Sequence, residues 1–290
     1  MTGRKIRRRH AAYRDDIGEL VTRRPLPGPG LQQIDPFLFL NHHGPQLYPP
    51  DNQGLPFGPH PHRGFETVTF ILDGELAHRD TAGHESVIRA GGVQWMTAGR
   101  GLIHSELSPQ DFMRCGGPLE ILQLWVNLPA RLKMTAPAYV GLQSEAIPAL
   151  PTADGRGRVN LIAGRWGGAE GPIRSLTGVF MSTVELARGG SVDLADLGGR
   201  NVFLYVVRGR IDIGGASVAE HSLVELHDDG DRLAIRALDD AMLLFGHAQP
   251  IGEAVVAHGP FVMNTREEIT QAIRDYQAGL FDIAPSNSAD

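Results

Sequence analysis

Short apolar runs that end at turn residues recur along most of the chain. The run 67–72 (TVTFIL) ends at Asp73-Gly74, and the longer run 119–128 ends at a proline. Similar runs return in the second half of the chain, for example at 202–207 (VFLYVV). Short, β-branched segments separated by Gly and Pro at close intervals are typical of antiparallel sandwiches and barrels. The pattern therefore predicts an all-β fold in both halves.

One helix is predicted near the end of the sequence. Thr265 and Glu268 have the spacing of a capping box, and apolar side chains recur on one helical face from Ile269 onward. These signals predict a helix over 266–278 that docks its apolar face on a sheet. The polar residues after Phe281 predict a disordered tail.

The two halves resemble one another. Segments 70–76 (FILDGEL) and 205–211 (YVVRGRI) both place three apolar residues before a charge, a glycine, a second charge and an apolar residue. A repeat at this distance suggests two copies of one β fold. Because 129–155 is rich in proline, we place the linker there and predict domains 1–135 and 136–290.

Composition restricts the class of protein. The chain has 290 residues, of which 42% are hydrophobic and 21% charged, as in a globular protein. A single cysteine excludes a disulfide scaffold and a Cys-rich zinc site. The net charge of −6 argues against direct nucleic-acid binding, and we interpret the basic N-terminus as a solvated end. Without a secretory signal or an apolar run of about 18 residues, a cytoplasmic protein without membrane association is expected.

Two pairs of chelating side chains suggest a metal site. In an extended strand, residues i and i+2 point to the same side, so His60 and His62 aim two imidazoles at one point. Pro59 and Pro61 favour extended backbone for the residues that precede them. His104 and Glu106 repeat the arrangement. If the two strands lie side by side, three imidazoles and one carboxylate face a single cavity.

This ligand set suits a redox-active or borderline divalent metal. Three neutral nitrogens and one hard oxygen fit Fe(II), Mn(II), Ni(II), Cu(II) or Zn(II). A metal that prefers five or six ligands would keep an open position for O2 or for a chelating substrate.

Four segments carry a resemblance to a known family. The segments 60–68 (HPHRGFETV), 94–101 (QWMTAGRG), 123–128 (QLWVNL) and 258–265 (HGPFVMNT) resemble the pirin family of the cupin superfamily. The match extends from about residue 35 to residue 281. It implies a bicupin, in which two antiparallel β-barrels (double-stranded β-helices) face each other and a C-terminal helix packs back.

The resemblance also implies one mononuclear metal, usually iron, in the N-terminal barrel. Its ligands would be the four side chains that the spacing selects, His60, His62, His104 and Glu106. Glu66 would not be a ligand. Aligned on Gly74 and Gly209, the second barrel has Ala195 and Leu197 at the first two ligand positions, so it should bind no metal.

Several residues are candidates for the pocket. The family places a segment near the pocket mouth where this chain has Asn41, His42 and His43. Phe57, Met96 and Gln123 are candidates to line the cavity. Trp95 and Trp125 are interpreted as core residues.

The resemblance implies a dioxygenase of the quercetin 2,3-dioxygenase type, with O2 and a flavonol-like aromatic as substrates and carbon monoxide as a product. Glu106 would be the base that takes the proton of the flavonol 3-hydroxyl. An alternative is an iron-dependent, redox-sensing binding protein, or transcription cofactor, that meets a protein partner without turnover. A third is an acireductone- or thiol-type dioxygenase, because pocket shape rather than the ligand set selects the substrate.

Overall fold

The computed structural model describes residues 3–282 and is mostly β, as the sequence predicts. The helices are α1 (Gln110–Cys115) and α2 (Arg266–Gln277). The predicted capping box begins α2: Thr265 Oγ1 accepts a hydrogen bond from the Glu268 amide, and the Glu268 carboxylate accepts one from the Thr265 amide. Within residues 3–282, no helix is long and apolar enough to cross a membrane. Apart from Asp282, the predicted polar tail lies outside the described residues.

Between residues 3 and 144 the chain forms twelve strands. They are β1 (Ile6–Ala11), β2 (Tyr13–Arg14), β3 (Thr22–Leu26), β4 (Phe37–Tyr48), β5 (Phe57–His62), β6 (Phe65–Asp73), β7 (Glu75–Asp80), β8 (Glu85–Arg89), β9 (Val93–Thr97), β10 (Leu102–Leu107), β11 (Gly117–Asn127) and β12 (Ala138–Leu142).

Between residues 145 and 282 it forms fourteen more. They are β13 (Ala149–Pro151), β14 (Gly157–Ala163), β15 (Arg165–Trp166), β16 (Ala169–Glu170), β17 (Phe180–Leu186), β18 (Ser191–Leu194), β19 (Asn201–Arg208), β20 (Arg210–Ile213), β21 (Ala216–Ala219), β22 (Ser222–Leu226), β23 (Leu233–Ala237), β24 (Ala241–Ala248), β25 (Val256–His258) and β26 (Phe261–Met263).

The chain forms two compact units whose ranges do not follow the order of the sequence. The first unit contains 15–22, 40–144 and the described residues from 251 onward, and the second contains the described residues up to 14, 23–39 and 145–250. These ranges differ from the predicted 1–135 and 136–290. The difference arises because β1 pairs with β22 of the second unit, whereas α2 packs against β25 and β26 in the first.

The two units repeat one sheet order. In the first unit, the four-stranded sheet runs β5-β10-β7-β8, and in the second it runs β18-β23-β20-β21. The larger sheets contain β12-β9-β6-β11-β4 in the first unit and β1-β22-β19-β24-β17-β14-β13 in the second. The internal repeat therefore corresponds to two copies of one two-sheet fold.

The glycine of the repeat has the same role in both copies. Gly74 and Gly209 adopt positive φ angles of 79° and 77° between consecutive strands. A Cβ would lie 2.5 Å from the Pro118 carbonyl oxygen at the first position and 2.1 Å from the Asp240 oxygen at the second. Only glycine fits both turns without displacing backbone.

The second unit has an apolar interior where the first unit has polar side chains. Val192 and Leu194 of β18 lie opposite Ile235 and Leu233 of β23, and all four are buried in one apolar cluster. Leu197 belongs to the same cluster, whereas Ala195 is exposed. These side chains offer no metal ligand.

Candidate metal centre

The first unit brings the three predicted histidines together. Strands β5 and β10 are antiparallel, with His104 opposite His60 and Leu102 opposite His62. One ligand atom from each of His60, His62 and His104 lies within 4.8 Å of the other two. Among residues 3–282, this is the group of three metal-ligating side chains that the structure contains. The i, i+2 spacing and the strand pairing together produce it.

A bulge in β5 shapes the site. The register changes between His104, which faces His60, and Glu106, which faces Phe57, so β5 has one residue more than β10 over this interval. The extra residue falls near Pro59, which has no amide hydrogen and therefore cannot donate a hydrogen bond to the neighbouring strand. The His60 Nδ1 donates to the carbonyl oxygen of Gly58 at 2.7 Å, so the bulge itself orients the imidazole.

Hydrogen bonds leave the ring nitrogens ready for a metal. The His62 Nδ1 donates to the Pro260 carbonyl oxygen at 3.2 Å. Because a carbonyl only accepts, Nδ1 of both His60 and His62 carries the proton, and Nε2 keeps its lone pair. Both ring nitrogens of the buried His104 lack a hydrogen-bond partner among residues 3–282. Unpaired buried nitrogens are costly, and a metal ion would satisfy them.

Burial keeps two of the imidazoles neutral. Removal from water, with the neighbouring His60, lowers the pKa of His62 to about 3. Burial and the neighbouring imidazoles, His62 first, lower the pKa of His104 well below its usual value. The neutral form is the one that binds metal, so no proton competes for these nitrogens near pH 7.

Glu106 lies on the same face of β10 as His104, and its carboxylate is held by two donors. Thr69 Oγ1 donates to Oε1 at 2.8 Å, and Gln123 Nε2 donates to Oε2 at 2.5 Å. Thr69 and Gln123 face each other across β6 and β11. Glu106 is not among the three side chains whose ligand atoms lie within 4.8 Å. Because Gln123 donates to Glu106, this candidate lining residue holds the carboxylate in place.

Sequence reasoning did not single out His78. Its ring centroid lies 5.4 Å from that of His104, and it stacks on Tyr139 at 4.1 Å. Its Nε2 is 3.0 Å from the carboxylate of Asp80, which also contacts the ring of His84. The signal was present in the sequence, because His78 and Asp80 repeat the i, i+2 pattern used for the ligands.

Two further side chains lie on the face of the larger sheet that also carries Thr69 and Gln123. Trp125, interpreted above as a core residue, is only partly buried and its ring lies 5.4 Å from that of His62 and 4.5 Å from that of Phe65. Met96 lies opposite Thr67 on β6 and opposite Tyr139 on β12, and it is buried. Directly paired residues share a face of the sheet, so Met96 and Tyr139 point to the same side.

The candidate mouth residues are buried within the first unit. His42 Nε2 is 2.8 Å from Glu120 Oε1, with both side chains fully buried. His43 Nδ1 is 2.8 Å from Thr22 Oγ1, and Asn41 is also buried. Phe57 is half-buried, with its ring 5.2 Å from that of His43. The hydrogen bonds give both histidines structural partners.

Glu66 lies on the opposite face of β6 from Thr69, three residues away. Its Oε1 accepts a hydrogen bond from Thr97 Oγ1 at 2.7 Å. Burial raises the pKa of Glu66. Glu66 is therefore separated from the histidines by the sheet itself.

Family descriptions match both parts of the chain. The description "Pirin" matches residues 19–126, and "Pirin C-terminal cupin domain" matches residues 181–282. A Pseudomonas aeruginosa protein, provisionally named a quercetin 2,3-dioxygenase, is 41% identical over 86% of this chain and 87% of its own length.

Solved structures have the same fold. Quercetin 2,3-dioxygenase from Acinetobacter baumannii superposes with a TM-score of 0.91 and 31% identity, over 97% of this chain and 99% of that one. A bacterial pirin from Escherichia coli, in complex with nickel(II), has a TM-score of 0.66 and 22% identity, over 83% and 98%. These likenesses confirm the predicted cupin-type fold with two domains.

Proposed function

Since the chain belongs to the pirin family, we propose that it is a metal-dependent dioxygenase that cleaves a flavonol such as quercetin with O2 and releases carbon monoxide. The observation that carries the proposal is the cluster of three imidazoles, of which His62 and His104 are buried and held neutral, with a carboxylate two residues beyond His104. The relatives that bear the quercetin 2,3-dioxygenase name support the substrate class.

His60, His62 and His104 would hold one divalent metal, with Glu106 as the fourth proposed ligand. Imidazole-rich sites with one carboxylate suit Fe(II), our first choice, and also accept Mn(II), Ni(II), Cu(II) or Zn(II). Such an ion, when bound, supplies a Lewis acid for an ionised hydroxyl and redox capacity for O2. The neutral imidazoles and the unpaired nitrogens of His104 fit this group.

Glu106 is the proposed base for the substrate. The O–H bond of the flavonol 3-hydroxyl breaks, its proton moves to a carboxylate oxygen of Glu106, and the oxygen keeps the electron pair. Thr69 and Gln123 orient the carboxylate, because each donates to one of its oxygens. In the net reaction, the two ring C–C bonds of the carbon that bore the hydroxyl break and this carbon leaves with its oxygen as carbon monoxide. Both atoms of O2 enter the depside product, and Glu106 returns its proton to that product.

Aromatic side chains give the site a surface for a flat substrate. Trp125 lies beside His62 and packs on the fully buried Phe65, and Tyr139 stacks on His78 next to His104. Offset or edge-on packing of aromatic rings would orient a flavonol without additional polar contacts.

Oxygen uptake with quercetin tests the proposal. Fe(II)-loaded protein should consume O2 and release carbon monoxide, and His62→Ala should do neither. His227→Ala, which removes an exposed imidazole of the second unit, is the matched control and should behave as the wild type. No uptake by protein that contains one metal by elemental analysis would reject a flavonol dioxygenase. Uptake without carbon monoxide would reject this reaction in favour of another oxygenase.

A further inference from the structure

The C-terminal part of the first unit contacts the strand that carries His62. We call residues 256–282, which contain β25, β26 and α2, the C-terminal brace. The Pro260 carbonyl oxygen accepts from the His62 Nδ1 at 3.2 Å and from the Arg63 amide at 3.4 Å. The buried ring of His62 therefore obtains its tautomer from a residue 198 positions away in the sequence.

The brace and the end of β5 are joined backbone to backbone. The Val262 amide donates to the Arg63 carbonyl oxygen at 3.0 Å, which completes a parallel bridge between Arg63 and Phe261. At Gly64, where φ is +90°, a Cβ would lie 2.0 Å from the Val262 carbonyl oxygen. The approach is so close that the register of the brace on this strand is fixed.

Arg63, which directly follows the proposed ligand His62, contacts the end of the brace. Its Nη1 donates to Asp275 Oδ2 at 2.7 Å, and its guanidinium carbon lies 4.6 Å from the centre of the Phe281 ring. Arg63 and Phe281 are both buried. Thr81 Oγ1 donates to the Phe281 carbonyl oxygen at 2.8 Å, which anchors the same residue to the turn after β7.

The second ligand strand contacts the brace through its outer face. Ile103 packs against an apolar cluster within the brace that includes Phe261, Ile269 and Phe281. Successive residues of a strand point to opposite faces, so Ile103 points outward while His104 points inward. Arg63, the residue after His62, likewise contacts the brace. Both ligand strands are thus supported from behind by one segment.

We propose that the C-terminal brace positions His62 and His104 for metal, so that docking of α2 and metal binding are energetically linked. The proposal rests on the metal site proposed above. Groups that orient metal ligands typically contribute 10- to 100-fold to metal affinity. Linkage is reciprocal, so an intact brace should tighten metal binding and bound metal should tighten the docking of α2.

Nickel(II) affinity of brace variants tests the proposal, because Ni(II) suits imidazole and does not oxidise in air. Phe281→Ala should weaken Ni(II) binding at least tenfold, and Phe281→Leu should restore part of the loss. Leu47→Ala, which removes an exposed apolar side chain of the first unit outside the brace, should bind Ni(II) as the wild type does. Asp275→Asn weakens the link to Arg63 with little loss of packing. If Phe281→Ala fails to fold, the Ni(II) affinity of Asp275→Asn is measured in its place, and it too should be weaker than that of the wild type.

Hydrogen exchange supplies an independent measurement. In the wild type, Ni(II) should slow the exchange of the α2 amides, and in Phe281→Ala the slowing should be smaller. Wild-type affinity in a folded Phe281→Ala or Asp275→Asn protein, with α2 exchanging freely, would overturn the brace and leave the metal site standing. Failure of the wild type to bind Ni(II) would instead overturn the metal site, and the brace with it.

Discussion

His104 lies directly opposite His60 in the β5–β10 pair, with ring centroids 4.4 Å apart. His62 is also near, with its ring centroid 5.0 Å from that of His104. Three imidazoles at this separation cannot all be protonated without strong repulsion. The three imidazoles therefore favour binding one metal cation between them over each binding a proton.

Acid should destabilise the metal-free protein. The pKa of His62 is about 3 in the folded chain against an ordinary 6.5, so between these values the unfolded chain binds a proton that the folded chain does not. The free energy of unfolding then falls with pH from about 6.5 downward, by at most about 1.4 kcal/mol per pH unit for each such histidine. His104 acts in the same direction. Urea unfolding in the presence of a chelator measures this slope.

His62→Gln should reduce the slope, whereas His227→Gln, at an exposed position, should not. Saturating Ni(II) should stabilise the wild type at pH 7, because the ion binds only the folded state. An unchanged slope in His62→Gln would contradict the assignment of a neutral, buried imidazole.

Glu106→Gln should retain metal but lose most turnover. The amide keeps the shape of the side chain, but it cannot take the substrate proton. General-base catalysis typically contributes 10²- to 10⁴-fold, so we expect kcat to fall by about this factor. Metal content by elemental analysis and steady-state kinetics on the same preparation check the result. Full activity would remove Glu106 from the role of base.

Gln123→Leu should impair the reaction without removing the base. The substitution deletes the donor to Glu106 Oε2 and leaves Thr69 on the other oxygen. We expect kcat to fall by about one order of magnitude, as for the loss of one orienting hydrogen bond of about 1.4 kcal/mol. Gln143→Leu, at a hydrogen-bonded site on the surface, controls for loss of an amide. Equal kcat values for the two variants would contradict the orienting role.

Lys133→Met should destabilise the first unit. The buried Nζ donates to the carbonyl oxygens of Gly64 and Val262 and to Asn127 Oδ1, at 2.8 to 3.0 Å. Removal of the ammonium leaves three acceptors without their donor, so we expect a loss of about 2–5 kcal/mol in the free energy of unfolding. Lys5→Met, at an exposed position, should change it little. Equal midpoints of urea unfolding for the two variants would refute this expectation.

Glu66→Gln should leave metal binding intact and alter the pH dependence of stability. Burial raises the pKa of Glu66 above its unfolded value of 4.5. The unfolded chain therefore loses its proton first, and stability declines as pH rises from about 4.5 to the folded pKa. The glutamine variant should lack this decline. Loss of Ni(II) binding in this variant would show that Glu66 is a ligand.

The local part of the site can be predicted from the sequence, because strand geometry dictates it. His60 with His62, and His104 with Glu106, share faces through the i, i+2 rule, and the capping box at Thr265 marks the start of α2. The contacts of Pro260 with His62 depend instead on chain segments 198 positions apart. No local pattern specifies such a pairing.

His78 and Trp125 illustrate the same limit. His78 reaches His104 because β10 pairs with β7 as well as with β5, which requires knowledge of the sheet order. Trp125 faces inward because β11 pairs with β6 in a particular register. A shift of one residue would turn the indole to the other face, so its placement could not be inferred from hydrophobicity.

The distance along the chain between His62 and Pro260 bears on how the protein is made. Synthesis proceeds from the N-terminus, so the three histidines leave the ribosome well before the carbonyl that orients one of them. The same holds for β1, whose partner β22 begins at Ser222. The first unit therefore reaches its final form only when translation has passed residue 281, so the proposed metal centre would mature only after that point.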